Sequence, residues 1–191
     1  MENAHVAMFR ASLEGVPQVE LSAPFSLRRY RPGDEAAWMR IHLAADKLNT
    51  FPPGKFAQQF GADEARLAER QLYLCDGDGR EVGTTTAWFG EGERNPDLGR
   101  IHWVAIVPEA QGRGLATPLL AAALSRLREL GHCKAYLTTG TARTAALNLY
   151  LRIGFVPDIR SDAELAAWRS VRPRLKPEHW AKVAAALPQL A

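Results

Sequence analysis

The chain has little cysteine, no long apolar run and no marked excess of charge, and each absence excludes a class. Its 191 residues include two cysteines, Cys75 and Cys133. They form no disulfide scaffold, and they read as reduced, half-buried thiols of a cytoplasmic protein rather than as catalytic or metal-binding groups. No apolar stretch approaches the ~20 residues of a membrane span. The start, M-E-N-A-H-V-A-M-F-R, has no basic segment followed by an apolar one, so no secretory signal is visible. A net charge of +3 is small; it argues against a nucleic-acid binder, which normally carries a clustered basic face. There are no internal repeats and no low-complexity tract.

What is present is enough for a packed core. Apolar residues make up 47% of the chain, and the length suits one domain. Residues 1–24 show no clear periodicity and are expected to be a lead-in outside the folded domain. Residues 25–31 alternate as an edge strand ended by Pro32-Gly33. A helix is expected from Asp34 to Lys47, with Trp38, Ile41 and Ala45 on one face. Residues 49–61 read as a loop or broken helix with aromatic anchors, and 63–70 as a short helix. Two strands, 72–75 and 81–89, flank the hairpin signal D-G-D-G. A polar loop, 90–99, leads to a strand at 101–107 that Pro108 stops. Then come a helix over 115–130, with Pro118 in its first turn, a strand at 135–139, a helix over 142–153 and a strand at 155–159. Two further helices, 161–170 and 177–187, form a C-terminal helical extension (161–191) of the domain spanning 25–160. The order predicts an α+β, mixed α/β fold.

The most informative stretch is H-W-V-A-I-V-P-E-A-Q-G-R-G-L-A-T, from His102. A strand passes into a long Ala- and Leu-rich helix through Gln111-Gly112-Arg113-Gly114-Leu115-Ala116. Glycines let the backbone N–H groups approach a ligand, and the head of a helix offers unpaired N–H groups and a positive dipole end, which together suit phosphate. A G-x-x-x-x-G-K-[ST] loop is missing, and G-R-G lacks the third glycine of a dinucleotide turn.

The spelling Q-x-x-G-x-A directly after V-A-I-V-P resembles the acyl-CoA pyrophosphate loop of the GCN5-related N-acetyltransferases, the GNAT family. A second match lies in A-R-T-A-A-L-N-L-Y-L-R-I-G-F, where Ala146, Leu149, Tyr150, Gly154 and Phe155 fit the family pattern N-x-x-A-x-x-L-Y-x-x-x-G-F. The resemblance is firm over residues 100–157, diffuse over 25–99 and absent outside them. It implies the GNAT fold, a central mixed, mostly antiparallel sheet flanked by helices, and acetyl-CoA as co-substrate with no metal. The amides from Gly112 to Ala116 would then bind the pyrophosphate, Gln111 would hold the loop, and the backbone of Ala105, Ile106 and Val107 would pair with the pantetheine arm as an added strand. Arg113 is either a charge-assisted phosphate donor or a solvated side chain.

By the same resemblance, Tyr150 would protonate the departing CoA thiolate. Its spacing with Ala146, Leu149 and Ile153 equally suits a core aromatic. The chain departs from the family at Arg143, where asparagine is usual; this residue shares a face with Tyr150 and would either contact the cofactor or crowd the pantetheine path. Attack by an amine needs its proton removed, by a base, by a water relay to one or, as the resemblance also allows, by ordered water without a dedicated base. Relatives often place a glutamate where this chain has Arg100, which stays protonated. His102, two residues on and on the same strand face, is the expected base or else a structural histidine at the sheet rim. Glu91, Glu93 and Asp97 are weaker alternatives. Phe51, Phe56, Trp88 and Trp103 would wall an acceptor pocket or belong to the core. The expected function is transfer of acetyl from acetyl-CoA to a primary amine of a small molecule or peptide, by direct attack in a ternary complex, by a cytoplasmic enzyme that forms a possible homodimer and binds neither nucleic acid nor membrane. The alternative is an acyl-CoA-binding sensor in which Arg100 and Arg143 mark lost catalytic positions.

Overall fold

Alternating burial along short segments builds one mixed sheet. The computed structural model describes residues 3–90 and 97–186. In chain order the elements are β1 (His5–Arg10), β2 (Ser26–Arg29), α1 (Glu35–Ala45), α2 (Lys55–Phe60), α3 (Glu64–Arg70), β3 (Gln71–Cys75), β4 (Glu81–Phe89), β5 (Leu98–Ile106), α4 (Ala116–Glu129), β6 (Lys134–Gly140), α5 (Thr144–Arg152), β7 (Val156–Asp158), α6 (Asp162–Val171) and α7 (Pro177–Ala186). The seven strands lie in the order β2-β3-β4-β5-β6-β1-β7. Every described pairing is antiparallel except β5 with β6, which α4 connects as a crossover. Helix α1 packs on β4 and β5, and α4 packs on β3, β4 and β5. Among the described residues no helix is long and apolar enough to cross a membrane.

Residues 5–10 correct the reading of 1–24 as a lead-in. Strand β1 is inserted between β6 and β7, with Val6 opposite Thr139 and Met8 opposite both Leu137 and Pro157. Val6 and Met8 are 2% and 0% exposed. The alternation is present but hard to read, because Ala7 and Phe9 on the other face are apolar as well. Asn3 strengthens the entry: its side-chain oxygen accepts the Ala142 N–H at 3.0 Å, while Ala4 N–H donates to the Thr141 hydroxyl at 3.0 Å.

The described part of the C-terminal extension is packed rather than loose. Trp168, Val171, Leu175, Trp180 and Val183 are buried. Asn148 on α5 ties it down, accepting the Lys176 N–H at 3.0 Å and lying 2.9 Å from His179 Nδ1. Helix α7 thus braces the helix that carries Tyr150.

The sheet is irregular on both edges of β5. The β5–β6 ladder has only three rungs, Leu98↔Lys134, Gly99↔Ala135 and Arg100↔Tyr136. Beyond them the two strands part. On the other edge, the register against β4 slips by one between Thr84↔Ala105 and Thr86↔His102, a bulge at Trp103-Val104. Trp103 has φ 52°, a strained value for a bulky L residue.

Because Met8 is wholly enclosed between two strands, Met8→Ala should destabilise the protein by about 2–5 kcal/mol. Urea unfolding measures this; a loss below about 0.5 kcal/mol would mean that β1 contributes little to the sheet.

Candidate active site

The parting of β5 and β6 opens a cavity of about 260 Å³. Its walls come from β5 (Arg100, His102, Trp103), β6 (Thr138, Thr139), α1 with the turn after it (His42, Asp46, Asn49), α2 (Gln59) and the start and inner face of α5 (Arg143, Ala146, Tyr150). His5 of the inserted strand lines it too. The face of β5 is decided by register: His102 stands opposite Thr86 and Arg100 opposite Trp88, on the side where Phe60 of α2 packs against both Trp88 and His102. The two residues share a face, as strand alternation requires.

Below the cavity the loop after β5 has the geometry of an anion cradle. Gln111 donates through Nε2 to the Ile106 carbonyl at 2.8 Å, tying the loop back to its own strand. Gly112 and Gly114 have φ of 72° and 78°, the left-handed region in which glycine alone is at ease. A Cβ added to either would meet nothing within 4 Å, so both glycines face open space. Helix α4 starts at once, and Leu115 at its cap position supplies no side-chain acceptor, which leaves the leading amides without a cap. Arg113 lies over the Phe25 ring at 4.7 Å. Arg152 of α5 donates to the Thr117 hydroxyl in the first turn of α4, and so brings a second guanidinium near the same helix head.

The strand above the loop has an edge to offer. Val107 N–H donates to Val82 O at 2.8 Å. In an antiparallel ladder this turns the N–H of Ile106 to the opposite edge, the one that β6 has left. An extended acyl-CoA arm fits there as an added strand. Open cradle, tethering glutamine and free strand edge are together suited to acetyl-CoA.

On the cavity wall stands Tyr150, 7% exposed and T-shaped against Phe155 at 6.1 Å. Burial pushes its phenol up to about 12, and the Arg143 charge only partly offsets this, so the proton stays on the oxygen at neutral pH. Arg143 caps α5 and is held by Asp46, with Nη2 2.7 Å from both carboxylate oxygens. Burial opposes the charge on Asp46, but hydrogen bonds from Leu48, Asn49 and Arg143 outweigh it and keep the carboxyl below its ordinary value. The two charges therefore largely cancel on the cavity wall.

His102 is 9% exposed, and burial, aided by the Arg100 charge and then His42, pushes its ring down to about 3. His42 is 1% exposed and is likewise held near 3, by burial against the opposing pull of Asp46. Both rings are neutral at physiological pH, not poised near 6.5 as an exposed histidine is. Of the four aromatics expected to wall the acceptor pocket, Trp103 lines the cavity, its Nε1 donating to Gln59 Oε1 at 2.9 Å. Phe51, Phe56 and Trp88 stand behind it in one aromatic cluster. Glu91 and Glu93 lie outside the described residues. Asp97 is not on the cavity; its carbonyl accepts from Cys133 and Lys134 where β6 begins. Sequence reasoning missed His42 and Asp46. One signal was available: His42 follows Trp38 by four residues, a titratable side chain on the buried stripe of α1.

Comparison with known proteins gives the family and the fold. The sequence model of the acetyltransferase (GNAT) family matches residues 37–155. The chain is 34% identical over 152 residues to a mycothiol acetyltransferase of Sanguibacter keddieii, covering 74% of this chain and 47% of that protein. It is 30% identical over 185 residues to one of Geodermatophilus obscurus, covering 90% and 57%. Among solved structures it resembles a GCN5-related N-acetyltransferase of Sphaerobacter thermophilus, with TM-score 0.67 at 22% identity over 82% of this chain and 49% of that one. The ribosomal-protein-S18-alanine N-acetyltransferase of Escherichia coli gives 0.56 at 19% identity, over 68% and 76%. The chain belongs to the GNAT acetyltransferase family. It spans about half the length of the curated relatives it matches.

Gly114→Asp puts a carboxylate and a strained φ into the cradle, and calorimetry should show acetyl-CoA affinity reduced at least about 100-fold; unchanged affinity would remove the loop from phosphate binding. The buried histidines make stability sensitive to acid. Unfolded, both titrate near 6.5; folded, near 3. Between those values only the unfolded state takes up their protons, so their stabilising contribution is complete above about pH 6.5 and is lost as pH falls toward 3, at roughly 1 kcal/mol per pH unit for each ring. The urea midpoint should therefore drop between pH 7 and 5, and less steeply in the double variant His42→Gln, His102→Gln. An identical slope in that variant would contradict the burial of neutral rings.

Proposed function

We propose that the chain is an N-acetyltransferase that moves an acetyl group from acetyl-CoA to a primary amine within a ternary complex. The observation that carries the reading is the cavity itself: one space where β5 and β6 part holds the free edge of β5, a protonated phenol and a neutral imidazole. The names of the relatives at 30–34% identity support acetyl transfer rather than acyl-CoA sensing.

In this reading the amides of Gly112 to Ala116 and the dipole of α4 hold the pyrophosphate, with Arg113 as a charged donor. Ala105 to Val107 pair with the pantetheine arm. The Ile106 N–H donates to the thioester oxygen and stabilises the negative charge that builds there during attack. His102 receives the proton of the amine. Its depressed basicity makes it a weak base in the resting enzyme, but a neutral ring also has its lone pair available at all physiological pH values. Tyr150 supplies the proton to the leaving sulfur. A phenol held near 12 is a poor acid alone, and the imidazolium formed in the same step pulls it down. Arg143, pinned by Asp46, shapes the cavity mouth.

Thiol release from acetyl-CoA, screened against amino acids, polyamines, aminoglycosides, glucosamine and peptide N-termini, tests the reaction class. Tyr150→Phe should lower kcat about 10²-fold with an unchanged acetyl-CoA Kd; equal turnover would take the proton-donor role away from Tyr150.

A further inference from the structure

Arg113 lies in the turn between Gly112 and Gly114, whose φ values of 72° and 78° put a permissive hinge on either side of it. Among the described residues its guanidinium meets no carboxylate and no hydrogen-bond acceptor. In this it differs from Arg28, Arg126 and Arg143, which are paired with Asp34, Glu129 and Asp46. What it meets is the ring of Phe25, with Cζ 4.7 Å from the centroid. The side chain starts in the turn, so a ring touched by its tip stands within one side-chain length of the cradle.

Phe25 is itself fixed. Its N–H donates to the Ser22 carbonyl at 3.1 Å, and the next residue, Ser26, opens β2 opposite Cys75. The ring is half-buried and packs against the core. A guanidinium over an aromatic face engages its own π surface and keeps its N–H groups, which project in its plane, for anions. Those N–H groups are what a phosphate requires. Without an anchor, an arginine between two glycines samples many conformations and loses that freedom when it binds a ligand.

We propose that Phe25 is a positioning residue for the cofactor: its ring holds the Arg113 guanidinium beside the cradle with the N–H groups free for a phosphate of acetyl-CoA. The inference rests on the reading of the turn at 112–116 as the pyrophosphate site. Phe25 touches no phosphate and takes no part in the chemistry. It acts by ordering Arg113 before the ligand arrives, so its effect lies in the affinity for acetyl-CoA and vanishes when Arg113 is absent. Leucine at position 25 keeps the apolar bulk but has no π face, whereas tyrosine keeps both.

The test is a double-mutant cycle read as the acetyl-CoA Kd by calorimetry, on variants whose ligand-free melting temperatures are also measured. Arg113→Ala should raise Kd about tenfold or more. Phe25→Leu should raise it about three- to tenfold and Phe25→Tyr less than about twofold. Phe25→Leu added to Arg113→Ala should change Kd no further. If the leucine variant does not fold, Phe25→Met serves in its place. Equal losses with and without Arg113 would show that the ring acts through the fold, and would overturn the proposal. So would an unchanged Kd in either single variant, or a tighter one in Phe25→Leu, which would mean that the ring keeps Arg113 away from the phosphates. A wild type that gives no heat with acetyl-CoA would overturn the pyrophosphate reading of the turn, and this inference with it.

Discussion

The structure turns on a pairing that stops. Strands β5 and β6 run parallel for three rungs and then separate. A parallel pair joined by a crossover helix would ordinarily continue. Here the separation exposes one edge of β5, opens the cavity and sets α5 across the gap. The bulge at Trp103-Val104 belongs to the same event: an extra residue bends β5 locally while its other edge stays bonded to β4 on both sides of the slip. The backbone strain at Trp103 is offset by its surroundings, since Trp38, His42, Phe51 and His102 all pack on its indole.

Within the gap, electrostatics is set by burial. The Asp46–Arg143 pair is internally satisfied and contributes little net field. What remains are neutral groups with specific hydrogen-bonding capacities: a phenol that keeps its proton and two imidazoles that do not acquire one.

Much of the architecture was legible in the sequence. The hairpin around D-G-D-G, the strand ending at Pro108, the glycine turn and the amphipathic α4 all lie where periodicity and turn chemistry place them, because each is a local decision. The shape of the loop from Gln111 to Ala116 was legible for the same reason, being a single continuous segment. The features that escaped notice, β1 and His42, are both non-local. Strand β1 was overlooked because a strand covered on both faces loses the polar alternation that announces it. His42 was overlooked because it reaches the cavity wall only through α1 lying beside β5; the spacing Trp38-x-x-x-His42 signals burial but not the cavity.

By itself, then, the amino-acid order determined most of the elements, the glycine turn with its tethering glutamine and the family to which the chain belongs, since these rest on neighbours along the backbone. Tertiary structure decided the rest. Register against β4 set the face on which His102 stands, insertion of β1 completed the sheet beside β6, and burial fixed the protonation of Tyr150, His42 and His102. Those properties depend on contacts between residues far apart in the chain, and on the water such contacts exclude, neither of which a linear pattern encodes.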